Sequence, residues 1–265
     1  MKPVRAKKHL GQHFLKEQAI AERIAQAVEL QDESISVLEI GPGTGILSRK
    51  LDAIYSERLR MIELDSESVE YLLDRHPDWQ GRIAEGDFLK CDLPQLIGES
   101  SFGLVGNFPY NISSQILFKA LDHRDQIPVL VGMFQKEVAE RVVSEPGTKV
   151  YGILSVLLQS YYRCEYLFTV SEQCFAPPPK VKSAVIRLRR RPEQDPALPY
   201  PYLKKVVKMA FGQRRKTLRN SLKPLLQQSG ARLGEEILGL RPEALSPERF
   251  AQMAKEIRDA ELSRQ

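Results

Sequence analysis

A glycine-spaced turn between two patterned segments constrains this chain most. Ser36–Ile40 is a short β-rich run, Gly41-Pro-Gly43-Thr-Gly45 follows directly, and Ile46–Ile54 carries the periodicity of an amphipathic helix. Strand, glycine turn and helix together open a βαβ unit. In that arrangement main-chain amides at a helix N-terminus meet a ligand that no side chain holds off. The same rhythm continues, with strands expected at Arg58–Leu64, Arg82–Glu85, Gly103–Gly106 and Ile127–Phe134. Helices are expected between them at Ser66–Arg75, Ser113–Leu121 and Lys136–Ser144, and one earlier at Lys16–Val28. Such alternation predicts an α/β fold with a mostly parallel sheet and ligands at the carboxyl ends of its strands. Tyr151–Tyr162 reads as helix. Glu165–Val170 and Ser183–Arg189, joined through Phe175-Ala-Pro-Pro-Pro179, suit an antiparallel pair closing one sheet edge. Beyond the proline-rich stretch 192–196 only helical patterns remain, at 201–211, 214–227, 233–239 and 247–258. The expected domains are therefore 1–191 and an all-helical 192–265.

Three polar residues follow the strand ends. Glu63 ends the second strand 22 residues after Gly41, where a carboxylate can bind ribose hydroxyls. Asp87 follows the third, where it can accept a hydrogen bond from an adenine amino group. The third glycine comes one residue earlier than in the dinucleotide fingerprint, which tilts the expected ligand from NAD toward S-adenosylmethionine. After the strand Gly103–Gly106 comes Asn107-Phe-Pro-Tyr110. An exocyclic adenine amine is a poor nucleophile because its lone pair is delocalised into the ring. Two acceptors on its N–H bonds, the Asn107 side-chain oxygen and the Phe108 carbonyl, can draw it toward tetrahedral geometry and aim the lone pair at a methyl donor. Pro109 sets the turn, and Tyr110 offers a ring for stacking. Positioning and local polarity would supply most of the catalysis. A base reaching this site must leave its stack, and Phe175 is the expected second aromatic face.

Charge is unevenly spread. The 265 residues carry 39 Lys/Arg against 34 Asp/Glu, a net +5, yet residues 17–179 alone are net −11. Positive charge is concentrated in 1–16, 180–191 and 204–223, none of which contains an acid. An acidic body with three basic segments points to a polyanion partner. At 42% hydrophobic and 28% charged residues, the composition argues against a disordered or fibrous chain. No apolar run approaches the roughly 18 residues of a membrane helix, and no apolar stretch follows the basic N-terminus as in a secretory signal. Cys91, Cys164 and Cys174 form no CxxC pair and the four histidines show no ligand spacing. A reduced cytoplasmic protein without a metal is expected.

Taken together, several motifs identify a resemblance. Lys8-His-Leu-Gly-Gln-His-Phe-Leu15, Leu38–Gly45, Ile62–Asp65, Glu85-Gly-Asp87, Gly106–Ile112, Phe175–Val181 and Phe211–Asn220 make the chain similar, nearly end to end, to the ribosomal RNA adenine dimethyltransferases, in particular the small-subunit enzymes. The resemblance implies a class I methyltransferase fold with a small helical C-terminal domain for RNA or subunit recognition. It implies transfer of four methyl groups from four S-adenosylmethionines to two adjacent adenosines near the 3′ end of 16S rRNA, late in small-subunit assembly, by a monomer. It further implies that His13, Leu15, Gly41 and Gly43 line the cofactor site, with Gly41 at the methionine end. Glu63 would hold the ribose, Asp87 the adenine, and Asn107 the junction with the target base. Arg214, Arg215, Lys216 and Arg219 are the expected RNA contacts. His13 stands where the family usually has Asn, and Phe108 where it usually has Leu. Three competing readings are a large-subunit rRNA methyltransferase, a DNA adenine methyltransferase and a non-catalytic RNA-binding factor. The basic run Gln213–Arg219, the lack of a separate target-recognition region, and the intact Asn107, Pro109 and Tyr110 argue against them in turn.

Overall fold

Strand ends carry the chemistry of this chain, so its sheet is the element that matters. The computed structural model describes residues 4–98 and 101–264. The strands are β1 (Phe14–Leu15), β2 (Ser36–Ile40), β3 (Leu59–Glu63), β4 (Ile83–Glu85), β5 (Phe102–Asn107), β6 (Val129–Gln135), β7 (Tyr162–Val170), β8 (Phe175–Ala176) and β9 (Ser183–Arg190). Seven of them form one sheet in the order β4-β3-β2-β5-β6-β9-β7, while β1 and β8 pair antiparallel as a separate two-residue ribbon. The pairs β2–β3, β3–β4, β2–β5 and β5–β6 are parallel, and β9 runs antiparallel to β6. This is the α/β sheet with an antiparallel edge that the sequence pattern predicts.

The central strands are buried on both faces, which is why β5 and β6 read as apolar runs without alternation. Chain order reverses between β2 and β5, a switch point that leaves a crevice beyond the strand ends. Helix Ile46–Tyr55 turns Ile46, Leu47, Leu51 and Tyr55 inward, on the spacing of one helical face. Helix Ser66–Arg75 begins at Asp65, whose carboxylate accepts from the Glu67 amide at 3.2 Å.

The chain divides into two compact units. The first is Met1–Ala139 with Glu165–Arg190, and the second is Glu140–Cys164 with Arg191–Gln265. The later boundary lies between Arg190 and Arg191, just before the proline-rich stretch. Residues 140–164, expected in the first domain, instead join the helical unit. Helix Ile153–Gln159 shows why: it buries Leu154, Val156, Leu157 and Leu158, and periodicity alone does not say which core an apolar stripe joins. The helical unit is cored by Leu203, Val206 and Val207 of Tyr200–Gly212 and by Phe250, Met253 and Ile257 of Pro247–Leu262. The single helix expected over 214–227 is broken. Gln213–Thr217 is irregular, and Leu218–Ser221 is followed by a second helix, Lys223–Ser229, with Pro224 in its first turn. A proline cannot continue a preceding helix but starts a new one readily. Among the described residues no helix is long and apolar enough to cross a membrane.

Candidate active site

The glycine turn closes β2 and starts the next helix, with Gly41 at φ +67° and Gly43 at φ +56°. A Cβ at Gly41 would project into open space, whereas one at Gly43 would lie 2.9 Å from the Phe14 ring. The turn is therefore open to a ligand at Gly41 and packed beneath the N-terminal arm at Gly43. A cleft of about 920 Å³, its mouth included, lies beside it and is lined by His13, Gly41, Glu63, Asp87, Asn107 and Tyr110. Residues from five chain segments thus converge where the switch point predicts.

Glu63 ends β3 and is buried. Its Oε2 accepts from the Gly43 amide at 3.0 Å and its Oε1 from the Asp65 amide at 2.9 Å. Burial raises its pKa, and the two amides pull it back. Each carboxylate oxygen keeps a lone pair for a sugar hydroxyl. Asp87 accepts from the Leu89 amide through Oδ1 at 2.9 Å. Lys119 donates to the Phe88 and Cys91 carbonyls at 2.6 Å and holds the loop after Asp87. An open glycine turn, a strand-end carboxylate and a second carboxylate on a braced loop fit the methionine, ribose and adenine portions of S-adenosylmethionine.

Asn107 ends β5. Its Nδ2 donates to the His13 carbonyl at 2.9 Å, which leaves Oδ1 without a protein donor among the described residues, on a residue that lines the cleft. The Phe108 ring is buried, at 1% exposure, against the ring of Phe134. A Cβ on Gly106 would come within 2.6 Å of that ring and one on Gly132 within 2.3 Å, so both glycines make room for it. Tyr110 is tied to β9 by a 2.5 Å bond between its hydroxyl and Ser183 Oγ.

Other expected site residues are placed differently. Leu15 is buried and lines a small recess behind the turn, together with Glu39, Thr44 and Asn107. Phe175 is 1% exposed and packs in the core with Leu15 and Val170, so its ring offers the cleft no open face. The cause is the β1–β8 ribbon, which sets Phe175 opposite Leu15. Of the four expected RNA contacts, Arg214 donates to the carbonyls of Thr148 and Lys149, and Arg219 pairs with Glu235. Arg215 and Lys216 are exposed. Half of the basic residues of segment 180–191 are paired with carboxylates within the protein. Arg187 bonds Glu29 and Glu165 at 2.9 Å each, Arg189 pairs with the same two carboxylates, and Arg190 meets Asp125 at 3.1 Å. Of its basic residues, Lys180 and Lys182 are exposed.

Lys7, Gln12 and Ser183 support the site without having been expected to. Lys7 Nζ reaches Asp65 at 2.6 Å and Glu67 at 3.1 Å, and Gln12 Nε2 donates to Asp65 at 3.3 Å, docking the arm beside Glu63. The only trace of this in the sequence is a basic arm and an acidic strand end.

A mostly parallel seven-stranded sheet with a glycine turn, paired carboxylates and an asparagine turn at its switch point defines the class I S-adenosylmethionine-dependent methyltransferases. The family model for ribosomal RNA adenine dimethylase matches residues 4–259, and the chain belongs to that family. It is thus an enzyme that methylates ribosomal RNA adenine from S-adenosylmethionine. Relatives named ribosomal RNA small subunit methyltransferase A include that of Bacteroides fragilis, 49% identical over 261 residues (98% of this chain, 95% of the relative). The one from Parabacteroides distasonis is 53% identical over 253 residues (96% and 94%). Among solved structures, a dimethyladenosine transferase from Plasmodium falciparum shares the fold, with a TM-score of 0.76 at 24% identity over 94% of this chain and 98% of that one. The 23S rRNA methyltransferase ErmE gives a TM-score of 0.67 at 25% identity over 92% and 99%.

Proposed function

We propose that this enzyme dimethylates the N6 amines of two adjacent adenosines near the 3′ end of 16S rRNA, acting as a cytoplasmic monomer on the small ribosomal subunit. The small-subunit assignment is supported by relatives of that name at about half identity over nearly the full chain. The chemistry is carried by one observation: the Asn107 amide is held through its nitrogen, so that its oxygen is the free acceptor.

S-Adenosylmethionine supplies an electrophilic methyl group. Gly41 gives the methionine end an unobstructed backbone, Gly43 leaves room for the Phe14 ring behind it, Glu63 takes the ribose hydroxyls, and Asp87 takes the adenine amine. Asn107 Oδ1 and the Phe108 carbonyl accept the two N–H bonds of the target amine and direct its lone pair. Pro109 holds the turn, and Tyr110, anchored through Ser183, supplies the stacking face. Phe175 serves the site from the core, by anchoring the ribbon that carries the arm. Arg215 and Lys216 are the exposed pair best suited to RNA phosphates.

The test runs labelled S-adenosylmethionine against small-subunit particles and naked large-subunit rRNA in parallel. Transfer to the small-subunit particles is expected, falling by about 10²-fold or more in Asn107→Ala with the fold intact. Transfer to large-subunit rRNA alone would overturn the assignment in favour of the activity named for ErmE.

A further inference from the structure

His13 binds two segments of the site at once. Its carbonyl accepts from Asn107 Nδ2 at 2.9 Å, and its ring Nδ1 lies 2.9 Å from the Pro177 carbonyl oxygen. A carbonyl oxygen only accepts, so the proton on this contact sits on Nδ1. Asn107 ends β5 and Pro177 follows β8, and His13 immediately precedes β1, the partner of β8. The ring also lies 5.4 Å from that of Tyr110, tilted by 32°.

A two-residue ribbon is too short to hold a chain end by its own ladder. Phe14 pairs with Ala176 and Leu15 with Phe175, and the Lys16 amide adds one bond to the Cys174 carbonyl at 2.8 Å. The side-chain bond from His13 to Pro177 extends this ladder at the end nearest the cleft, where it would otherwise fray. If the ribbon opens there, the His13 carbonyl moves, and Asn107 loses the acceptor that keeps its own Oδ1 free for substrate.

We propose that His13 is a positioning residue for methyl transfer. Its Nδ1–H clasps the arm to the proline loop, and the carbonyl of the same residue sets the orientation of the Asn107 amide. The catalytic part of this rests on the function proposed above. What the position needs is a hydrogen-bond donor attached to Cγ, not a base and not a charge. Asparagine can supply one, because its Nδ2 is bonded to Cγ as Nδ1 is in histidine. Aspartate has the same reach and only acceptors, and leucine has neither.

The test compares His13→Asn, His13→Asp and His13→Leu by two independent readouts. The first is native-state hydrogen exchange of the Lys16 amide in the ligand-free protein. The second is the single-turnover rate of methyl transfer, with kcat and KM measured separately. His13→Asp and His13→Leu are expected to lose about tenfold in protection and at least as much in kcat, the cost of one lost partner, with KM for the particle little changed. His13→Asn is expected to recover both to within about threefold of the parent, on the same hydrogen-bond scale. Equal behaviour of His13→Asp and His13→Asn would overturn the proposal, as would full protection in His13→Leu. Should the parent protein transfer no methyl group at all, the functional reading falls, and the exchange series still decides whether the clasp exists.

Discussion

Glu39 shows how one side chain can fix the electrostatics beneath a binding turn. It lies in β2, two residues before Gly41, at 1% exposure beside the Ser48 hydroxyl. Burial pushes its pKa up to about 8, the serine pulls it back, and the nearby Glu63 charge adds to the rise. At neutral pH it is therefore mostly a neutral acid. The folded protein keeps a proton that the unfolded chain releases above its ordinary value of 4.5. Stability contributed by this group is thus full below that value and declines as pH rises toward 8, by up to about 1.4 kcal/mol per pH unit. Glu39→Gln keeps the shape and has no proton to lose. Urea unfolding between pH 5 and 8 is expected to show a shallower decline for the variant than for the parent. Parallel pH profiles would contradict the buried-acid description.

At the scale of elements, the N-terminal arm is the piece whose attachment is electrostatic. Asp65 is nearly buried, which alone would raise its pKa. Hydrogen bonds from Lys7, Gln12 and Ser68 outweigh that and hold it below the ordinary carboxylate value. A lowered carboxylate contributes stability that is complete above its unfolded value, about 3.9, and is lost as pH falls through the folded one. Removing the first of the three donors, in Lys7→Ala, should raise the Asp65 midpoint. A carboxyl-carbon NMR titration checks this directly, and an unchanged midpoint would rule out the arm as the source of the shift. This attachment also marks the limit of what the sequence could reveal. The turn at Gly41, Glu63 and Asn107 were legible because each ends or follows a β-rich run of five or six residues, and Asp87 because it follows the next strand in the same rhythm. The β1–β8 ribbon was not, since two-residue strands have no periodicity and their partners lie 160 positions apart. The inward direction of Phe175 has the same non-local origin, because it comes from that pairing. The Arg187 pairs with Glu29 and Glu165 are likewise non-local, so a basic run that looked available was already spent.

For the molecule as a whole, net charge matters less than which charges are free. Pairing with Glu29, Glu165 and Asp125 occupies Arg187, Arg189 and Arg190, half of the basic residues of 180–191. Arg5 and Lys8 in the arm, Lys180 and Lys182 after the proline loop, and Arg215 and Lys216 in the helical unit are exposed. Neutralising Arg215 and Lys216 together should reduce the log–log salt slope of particle binding by about 1.4, at roughly 0.7 per single-strand phosphate, while affinity for S-adenosylmethionine is unchanged. Arg187→Ala should instead lower the melting temperature and leave that slope alone. Binding isotherms over a potassium chloride series separate the two, and an equal change in slope would mean that Arg187 reaches RNA after all. The ribbon has one more consequence, in the order of synthesis. Leu15 is made 160 residues before Phe175, its ladder partner, a gap of roughly 8–30 s at about 5–20 residues per second. Throughout that interval Leu15 lacks its ladder partner, although Asp65, which receives Lys7 and Gln12, has already been made. A growing chain therefore gains a closed site only when the last strands of the first unit emerge, well after the glycine turn and both carboxylates have been made.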